Sequence, residues 1–179
     1  RLNADPTVYQ VPCKQAEIFA MAEFLSEAER ARLIAIIDAV ARPSPVSGGP
    51  YASAYRTSYS GDVDTSDSFV KMIERRICDL MGIEQGWSET FQGQRYQPGQ
   101  EFRGHCDWFD TSADYWPEET KRGGQRSWTA MAWLNDVEEG GATEFTRLGY
   151  SLPPQPGCLL MWNNALPDGR PNLDTMHAG

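Results

Sequence analysis

The sequence has little of what several function classes require. Basic charge is in deficit, with 16 Lys and Arg against 25 Asp and Glu and a formal net charge of −9. Acids outnumber bases in both halves, 13 to 9 over residues 1–90 and 12 to 7 over residues 91–179. No basic tail or stripe is there to neutralise phosphates, so neither nucleic acid nor an anionic membrane is an expected partner. Long hydrophobic runs are also lacking: the longest near the start, residues 33–37, is far short of the roughly 18–20 residues of a membrane span. Residues 1–25 are broken by Asp5, Lys14, Glu17 and Glu23 and so lack the apolar centre of a signal peptide. The four cysteines, Cys13, Cys78, Cys106 and Cys158, form no CxxC pair. Their scatter fits neither a disulfide framework nor a zinc site, and a reducing, cytoplasmic setting is expected. Histidine is scarcest, present only as His105 and His177.

What is present describes a packed chain. With 179 residues, 40% hydrophobic and 11% aromatic, it is too apolar for disorder and of a length for one domain over 1–179. Ser26 followed by Glu29 is a capping box, and Leu33, Ile34, Ile37, Val40 and Ala41 recur at helical spacing until Pro43 stops the helix. Residues 42–50, with three prolines and two glycines, read as a loop. Asp67 caps a second expected helix whose stripe is Phe69, Val70, Ile73, Ile77, Leu80 and Met81, with Gly82 as its C-terminal stop. After Gly86 the texture changes. Short aromatic and β-branched runs at residues 91–96, 127–134 and 158–162 alternate with turn clusters such as Gln97-Pro98-Gly99 and Gly140-Gly141. With no βαβ alternation, the pattern predicts an α+β fold: an antiparallel jelly roll buttressed by N-terminal α-helices. Helical support is expected over about 1–86 and a β-rich core over about 87–179. Loops 44–51 and 111–125 have the length of active-site lids.

His105-Cys106-Asp107 places two metal-capable side chains at i and i+2, on one face if the segment is an extended strand. Alone this is weak: with 12 Asp in 179 residues, one of two histidines meets an Asp at that spacing by chance in about 13% of sequences. His177, 72 residues later, would complete a face of two imidazoles and one carboxylate, the set that leaves positions open on non-haem Fe(II).

The neighbouring residues narrow the reading. Arg95-Tyr96-Gln97-Pro98-Gly99-Gln100-Glu101-Phe102-Arg103-Gly104-His105-Cys106-Asp107-Trp108-Phe109, then Gly123-Gly124-Gln125-Arg126, Val137-Glu138-Glu139-Gly140-Gly141-Ala142-Thr143-Glu144-Phe145, Leu159-Leu160-Met161-Trp162-Asn163 and His177-Ala178-Gly179 follow one another in order. This succession resembles the prolyl 4-hydroxylase branch of the 2-oxoglutarate- and Fe(II)-dependent dioxygenases. Upstream, Tyr55-Arg56-Thr57-Ser58 and Ile73-Glu74-Arg75-Arg76-Ile77 also look like that family, so the resemblance covers roughly residues 55–179.

The resemblance implies a double-stranded β-helix, cupin-like, and an enzyme that couples decarboxylation of 2-oxoglutarate to hydroxylation of a peptidyl proline. Fe(II), 2-oxoglutarate and O2 are the implied cofactor and cosubstrates, ascorbate an accessory reductant, and a proline-containing peptide or protein the partner. His105, Asp107 and His177 take the metal-ligand positions. Asp107 favours hydroxylation over halogenation, because halogenase-like relatives carry a small residue there. Tyr96, Thr129, Trp133 and Thr143 match positions around the cosubstrate, with Trp133 where relatives often have Tyr, and Arg126 matches the arginine near the peptide groove. The family's basic anchor for the far carboxylate of 2-oxoglutarate lies about ten residues beyond the second histidine, whereas this sequence stops two residues after His177. A continuation carrying that cation and the closing strand is therefore expected. Arg95, Arg103, Arg147 and Arg170 are the substitutes to weigh. The rival reading is a non-catalytic jelly roll that binds a metal or a peptide; hydrolytic use of the metal lacks a spare histidine as general base.

Overall fold

In the computed structural model, which describes residues 1–44 and 55–179, the first helix, α1 (Glu27–Val40), starts where the capping box places it. Ser26 Oγ accepts from Glu29 N, and the Glu29 carboxylate accepts from Ser26 N at 2.8 Å. Helix α2 (Ser68–Met81) begins on Asp67, whose Oδ1 accepts from Phe69 N at 2.7 Å, and ends on Gly82 at φ +74°, a left-handed turn that glycine adopts without strain. Phe69, Val70 and Ile73 of the expected stripe are buried, Ile77, Leu80 and Met81 are partly buried, and Cys78, outside the stripe, is buried as well.

The strands are β1 (Tyr9–Gln10), β2 (Ile18–Met21), β3 (Arg42–Pro43), β4 (Tyr59–Asp62), β5 (Gln92–Arg95), β6 (Trp128–Ala132), β7 (Thr143–Phe145), β8 (Tyr150–Leu152), β9 (Leu159–Asn163) and β10 (His177–Ala178), with a short helix α3 (Trp116–Glu119) between β5 and β6. They form three antiparallel sheets in the orders β1-β2-β9-β6, β10-β7-β8 and β3-β4-β5. The fold is mixed α/β with antiparallel sheets. No helix among the described residues is long and apolar enough to cross a membrane.

The N-terminal region is not purely helical support, which corrects the expectation for residues 1–86. It supplies β1 to β4, and β2 lies inside the four-stranded sheet between β1 and β9. Ile18 and Phe19 are adjacent yet both buried. A short strand covered on both faces shows no polar alternation, and this is why periodicity missed it. Likewise Arg42 and Pro43 pair as β3 with Tyr59 and Ser60 rather than forming loop. Residues 45–50 of that loop, and 45–51 of the 44–51 lid candidate, lie outside the described residues.

The four-stranded sheet divides two cores. Leu159 and Met161 on β9 and Phe19 on β2 face the side covered by Leu33 of α1 and Val70 and Ile73 of α2. Leu160 and Trp162, with Ile18, face the opposite side, where Phe145 of β7 is fully buried. Alternation along one strand thus sends neighbouring apolar residues into separate cores. The second core forms one wall of the site described next.

Candidate metal centre

His105 and His177 are opposite one another in an antiparallel pair. His105 N donates to His177 O at 2.8 Å and His177 N to His105 O at 2.9 Å. Phe102 and Gly179 exchange a second pair of bonds, at 2.6 and 2.9 Å. Directly opposed residues project to the same face, so the two imidazoles lie together with ring centroids 4.3 Å apart. The ligand segment itself departs from the regular strand expected. Only Phe102 and His105 form isolated bridges, with bends at Gly104 and Asp107. Pairing is intermittent because the segment is held on two sides: Arg103 N donates to Tyr55 O at 3.0 Å, and the Tyr55 hydroxyl donates to Gly104 O. Asp107 nonetheless stays on the histidine side.

His105 Nδ1 lies 2.9 Å from Arg103 O and His177 Nδ1 lies 3.0 Å from Thr175 O. A carbonyl oxygen only accepts, so each Nδ1 carries the proton and each Nε2 presents a lone pair. His105 Nε2 is 3.7 Å from Asp107 Oδ1, and His177 Nε2 is 3.7 Å from Asp107 Oδ2. These separations are too long for hydrogen bonds. They are shorter than twice a metal–ligand distance of roughly 2.0–2.2 Å, so one ion can touch each pair. One donor atom from each of the three residues falls within 4.8 Å of the others. Two imidazoles and an aspartate side chain on one side of a point fit a non-haem Fe(II) site with open positions. Burial, and next the adjacent His177, push the His105 imidazole down to about 4, keeping its lone pair available at neutral pH.

The walls are aromatic. Phe102 stacks on His105 at 3.6 Å, Trp162 meets His177 edge-on at 4.8 Å, and Phe145 stands 6.0 Å from His177. Thr129, the second residue of β6, donates from Oγ1 to Asp107 Oδ2 at 2.7 Å; it touches a ligand directly, which the resemblance did not specify. Thr143 is buried at the start of β7, its hydroxyl 3.8 Å from the Met131 sulfur. Trp133 packs in the second core. Tyr96 follows β5 and donates from its hydroxyl to Gln94 Oε1 at 2.9 Å.

Arg126 is held by a residue that motif reading did not single out. Its Nε and one terminal nitrogen donate to the two Glu89 oxygens at 2.7 and 2.8 Å, and its guanidinium lies 4.2 Å over the Phe109 ring. Gln125 clamps Phe109 from both sides of its side-chain amide, at 2.9 and 2.8 Å, closing the base of the 111–125 loop. Of the substitute cations, Arg95 pairs with Asp38, Arg103 with Glu101 and Arg170 with Asp168. Arg147 makes no ion pair among the described residues. Arg56, also not assigned from sequence, is half-buried over Phe102 at 4.6 Å. Its only sequence signal was the Tyr55-Arg56-Thr57-Ser58 motif.

Residues 91–179 match the 2OG-Fe(II) oxygenase superfamily. The chain is 29% identical over 193 residues to the mouse prolyl 4-hydroxylase subunit alpha-1, covering 98% of this chain and 35% of that protein. It is 30% identical to the probable prolyl 4-hydroxylase 3 of Arabidopsis thaliana, covering 90% of this chain and 63% of that one. The chain thus spans about a third of the mammalian alpha subunits it matches. In structure it resembles the viral collagen prolyl hydroxylase of Paramecium Bursaria Chlorella virus-1, solved as a 2OG complex, with a TM-score of 0.67 and 25% identity over 90% of this chain and 86% of that chain. A prolyl-4-hydroxylase from Pseudomonas putida shares the fold, with a TM-score of 0.54 and 19% identity over 90% of this chain and 83% of that one. With the matched region spanning His105, Asp107 and His177, the chain belongs to the 2OG-Fe(II) oxygenase superfamily, among its prolyl 4-hydroxylase-like members.

Proposed function

We propose that this chain is the catalytic unit of a 2-oxoglutarate-dependent Fe(II) dioxygenase that hydroxylates a C–H bond of peptidyl proline. The observation that carries the reading is the convergence of His105, Asp107 and His177, with both Nε2 lone pairs and the carboxylate aimed into one space. When bound, the iron supplies the redox chemistry by which 2-oxoglutarate is decarboxylated to succinate and one oxygen atom of O2 enters the substrate. The chain's own residues do the rest. His105 and His177 would each offer Nε2 to the metal, and Asp107 would offset part of its charge. Phe102, Phe145 and Trp162 keep bulk water from the histidine faces.

Tyr96, Thr129, Trp133 and Thr143 are assigned to the cosubstrate pocket. Supporting this, Met131 and Trp133 share one apolar cluster, and Thr143 reaches the Met131 sulfur. Arg126 is assigned to the peptide, its fork presented beside Phe109 and held in place by Glu89. The two sheets flanking the site, β10-β7-β8 and β1-β2-β9-β6, are read as the halves of a double-stranded β-helix within a single domain. Ascorbate is assigned the reductant's role in uncoupled turnovers. Four free cysteines support a reducing compartment, the cytoplasm.

The test is incubation with Fe(II), 2-oxoglutarate, ascorbate and a proline-containing peptide. Succinate release together with peptide heavier by one oxygen atom is expected. Succinate with oxygen gained only by free amino acids or small metabolites would overturn the peptidyl-proline assignment. Metal and peptide binding without succinate would favour the binding module.

A further inference from the structure

We propose that Asn164 is a positioning residue for the metal centre, fixing the Thr129 hydroxyl proton on Asp107 and linking the Asp107 side of the site to the His177 side. The inference rests on the metal-site reading above and concerns a residue beyond the ligand set. Asn164 directly follows β9 and is 3% exposed. Its main chain is tied on both sides: Asn164 N donates to Ser127 O at 2.8 Å, and Asn172 N donates to Asn164 O at 2.7 Å. Its neighbour Asn163 turns the other way and donates to Glu17 Oε2 at 2.8 Å.

The direction of each hydrogen bond follows from what the partners can do. Asn164 Nδ2 is 3.1 Å from Arg126 O and 2.8 Å from Thr129 Oγ1. A backbone carbonyl can only accept, so the nitrogen of the amide, not its oxygen, must face Arg126 O. The second amide proton then points at Thr129 Oγ1, which accepts it. That hydroxyl has a single proton of its own, and Asp107 Oδ2 stands 2.7 Å away as its acceptor. The chain of donors therefore runs one way, from Asn164 through Thr129 to Asp107. It makes Asp107 Oδ2 the acceptor at the end of the chain and so orients the carboxylate that would meet a metal. Without Asn164 the Thr129 hydroxyl is free to rotate and can turn its lone pairs towards the carboxylate.

The other end of the same amide reaches the histidine side. Asn164 Oδ1 lies 3.3 Å from Thr175 Oγ1, whose proton is shared with Asn172 O at 2.8 Å. Thr175 O is the acceptor that fixes the His177 tautomer. A single buried amide thus touches, through one threonine each, two of the three ligand residues. Such outer partners are worth about ten- to a hundredfold in metal affinity.

Co(II) titration of the full chain, followed by its visible absorption bands, tests this without turnover, so a failure to hydroxylate proline would not alter the outcome. Asn164→Ala and Thr129→Val are each expected to weaken Co(II) about ten- to a hundredfold, with the Asn164→Ala bands shifted. The double variant should lose clearly less than the product of the two single losses, because Asn164 acts in part through the Thr129 hydroxyl. Thr129→Ser, which keeps the hydroxyl, should restore affinity to within about threefold of wild type. Should Asn164→Ala not fold, Asn164→Asp keeps the volume but removes the donor and is expected to show the same loss. Wild-type affinity and bands in the Asn164 variant that folds, or losses that multiply in the double variant, would overturn the proposal. A wild-type chain that binds no Co(II) would overturn it together with the metal-site reading.

Discussion

Burial and the neighbouring His177 push His105 down to about 4, against roughly 6.5 in an unfolded chain. Between those values the unfolded chain binds a proton that the folded chain refuses, so stability falls as pH drops through the window and is unaffected above it. The metal-free protein should therefore lose stability between about pH 6.5 and 4 more steeply than a His105→Gln variant. Urea midpoints of the two proteins across that range check this, and parallel curves would contradict it. Arg126 is the other residue whose surroundings predict an outcome. A rigid fork with several donors suits the carbonyls of an internal proline, which brings no charge of its own. Arg126→Ala is expected to cost about 1.5–3 kcal/mol, roughly ten- to a hundredfold in kcat/KM on a peptide. Co(II) affinity, measured on the same protein, should be unchanged.

At the scale of elements, α1 comes close to the β3-β4-β5 sheet where the sheet presents glycine: Gly61 lies under Val40 and Gly93 under Ile37. Gly61 on β4 pairs with Gly93 on β5, and a Cβ at Gly61 would come within 2.7 Å of Val40 O at the end of α1. That neighbour is backbone, so relief requires the helix or the strand to move. Gly61→Ala is expected to destabilise by about 1–3 kcal/mol, the usual cost of overpacking. Gly86→Ala, where a Cβ meets nothing within 4 Å, serves as the control and should stay within about 0.5 kcal/mol of wild type. Thermal or urea unfolding of the pair decides the matter, and equal effects at both sites would refute the close packing.

Across the whole molecule, the metal centre gathers segments that the chain keeps far apart. His105 and Asp107 come from the irregular segment after β5, His177 from β10, and Thr129 from β6. A bound ion binds the folded chain and not the unfolded one, and at a hundredfold excess over Kd it stabilises by about 2.7 kcal/mol. For a domain of this size each kcal/mol is worth about 2–4 °C, so chelation should lower Tm by about 5–10 °C. Differential scanning calorimetry with Fe(II) under argon, or with Co(II), before and after chelator measures it. A Tm that ignores both metal and chelator would speak against a site tied to folding.

Local features were legible in the linear chain. Ser26 and Glu29, Asp67 and Gly82 act within one turn of the backbone they cap, so α1 and α2 start, and α2 stops, where their residues require. The cluster of His105, Asp107 and His177 was legible because histidine is scarce and because the order of landmarks around it is one that a known family carries. Strand β2 was not, since both its faces are covered and burial on two sides leaves no period to read. Trp133 could belong to a pocket or a core from sequence, and its packing in the second core emerges only in three dimensions. The sequence alone determined which side chains can hold a metal and which helices frame the fold. Tertiary structure decided that Glu89 holds Arg126, that Arg56 lies over Phe102 and that Asn164 reaches Thr129. Those contacts join residues 35 to 46 positions apart, and hydrogen bonds and packing at such separations depend on where strands and loops cross, which no local periodicity records.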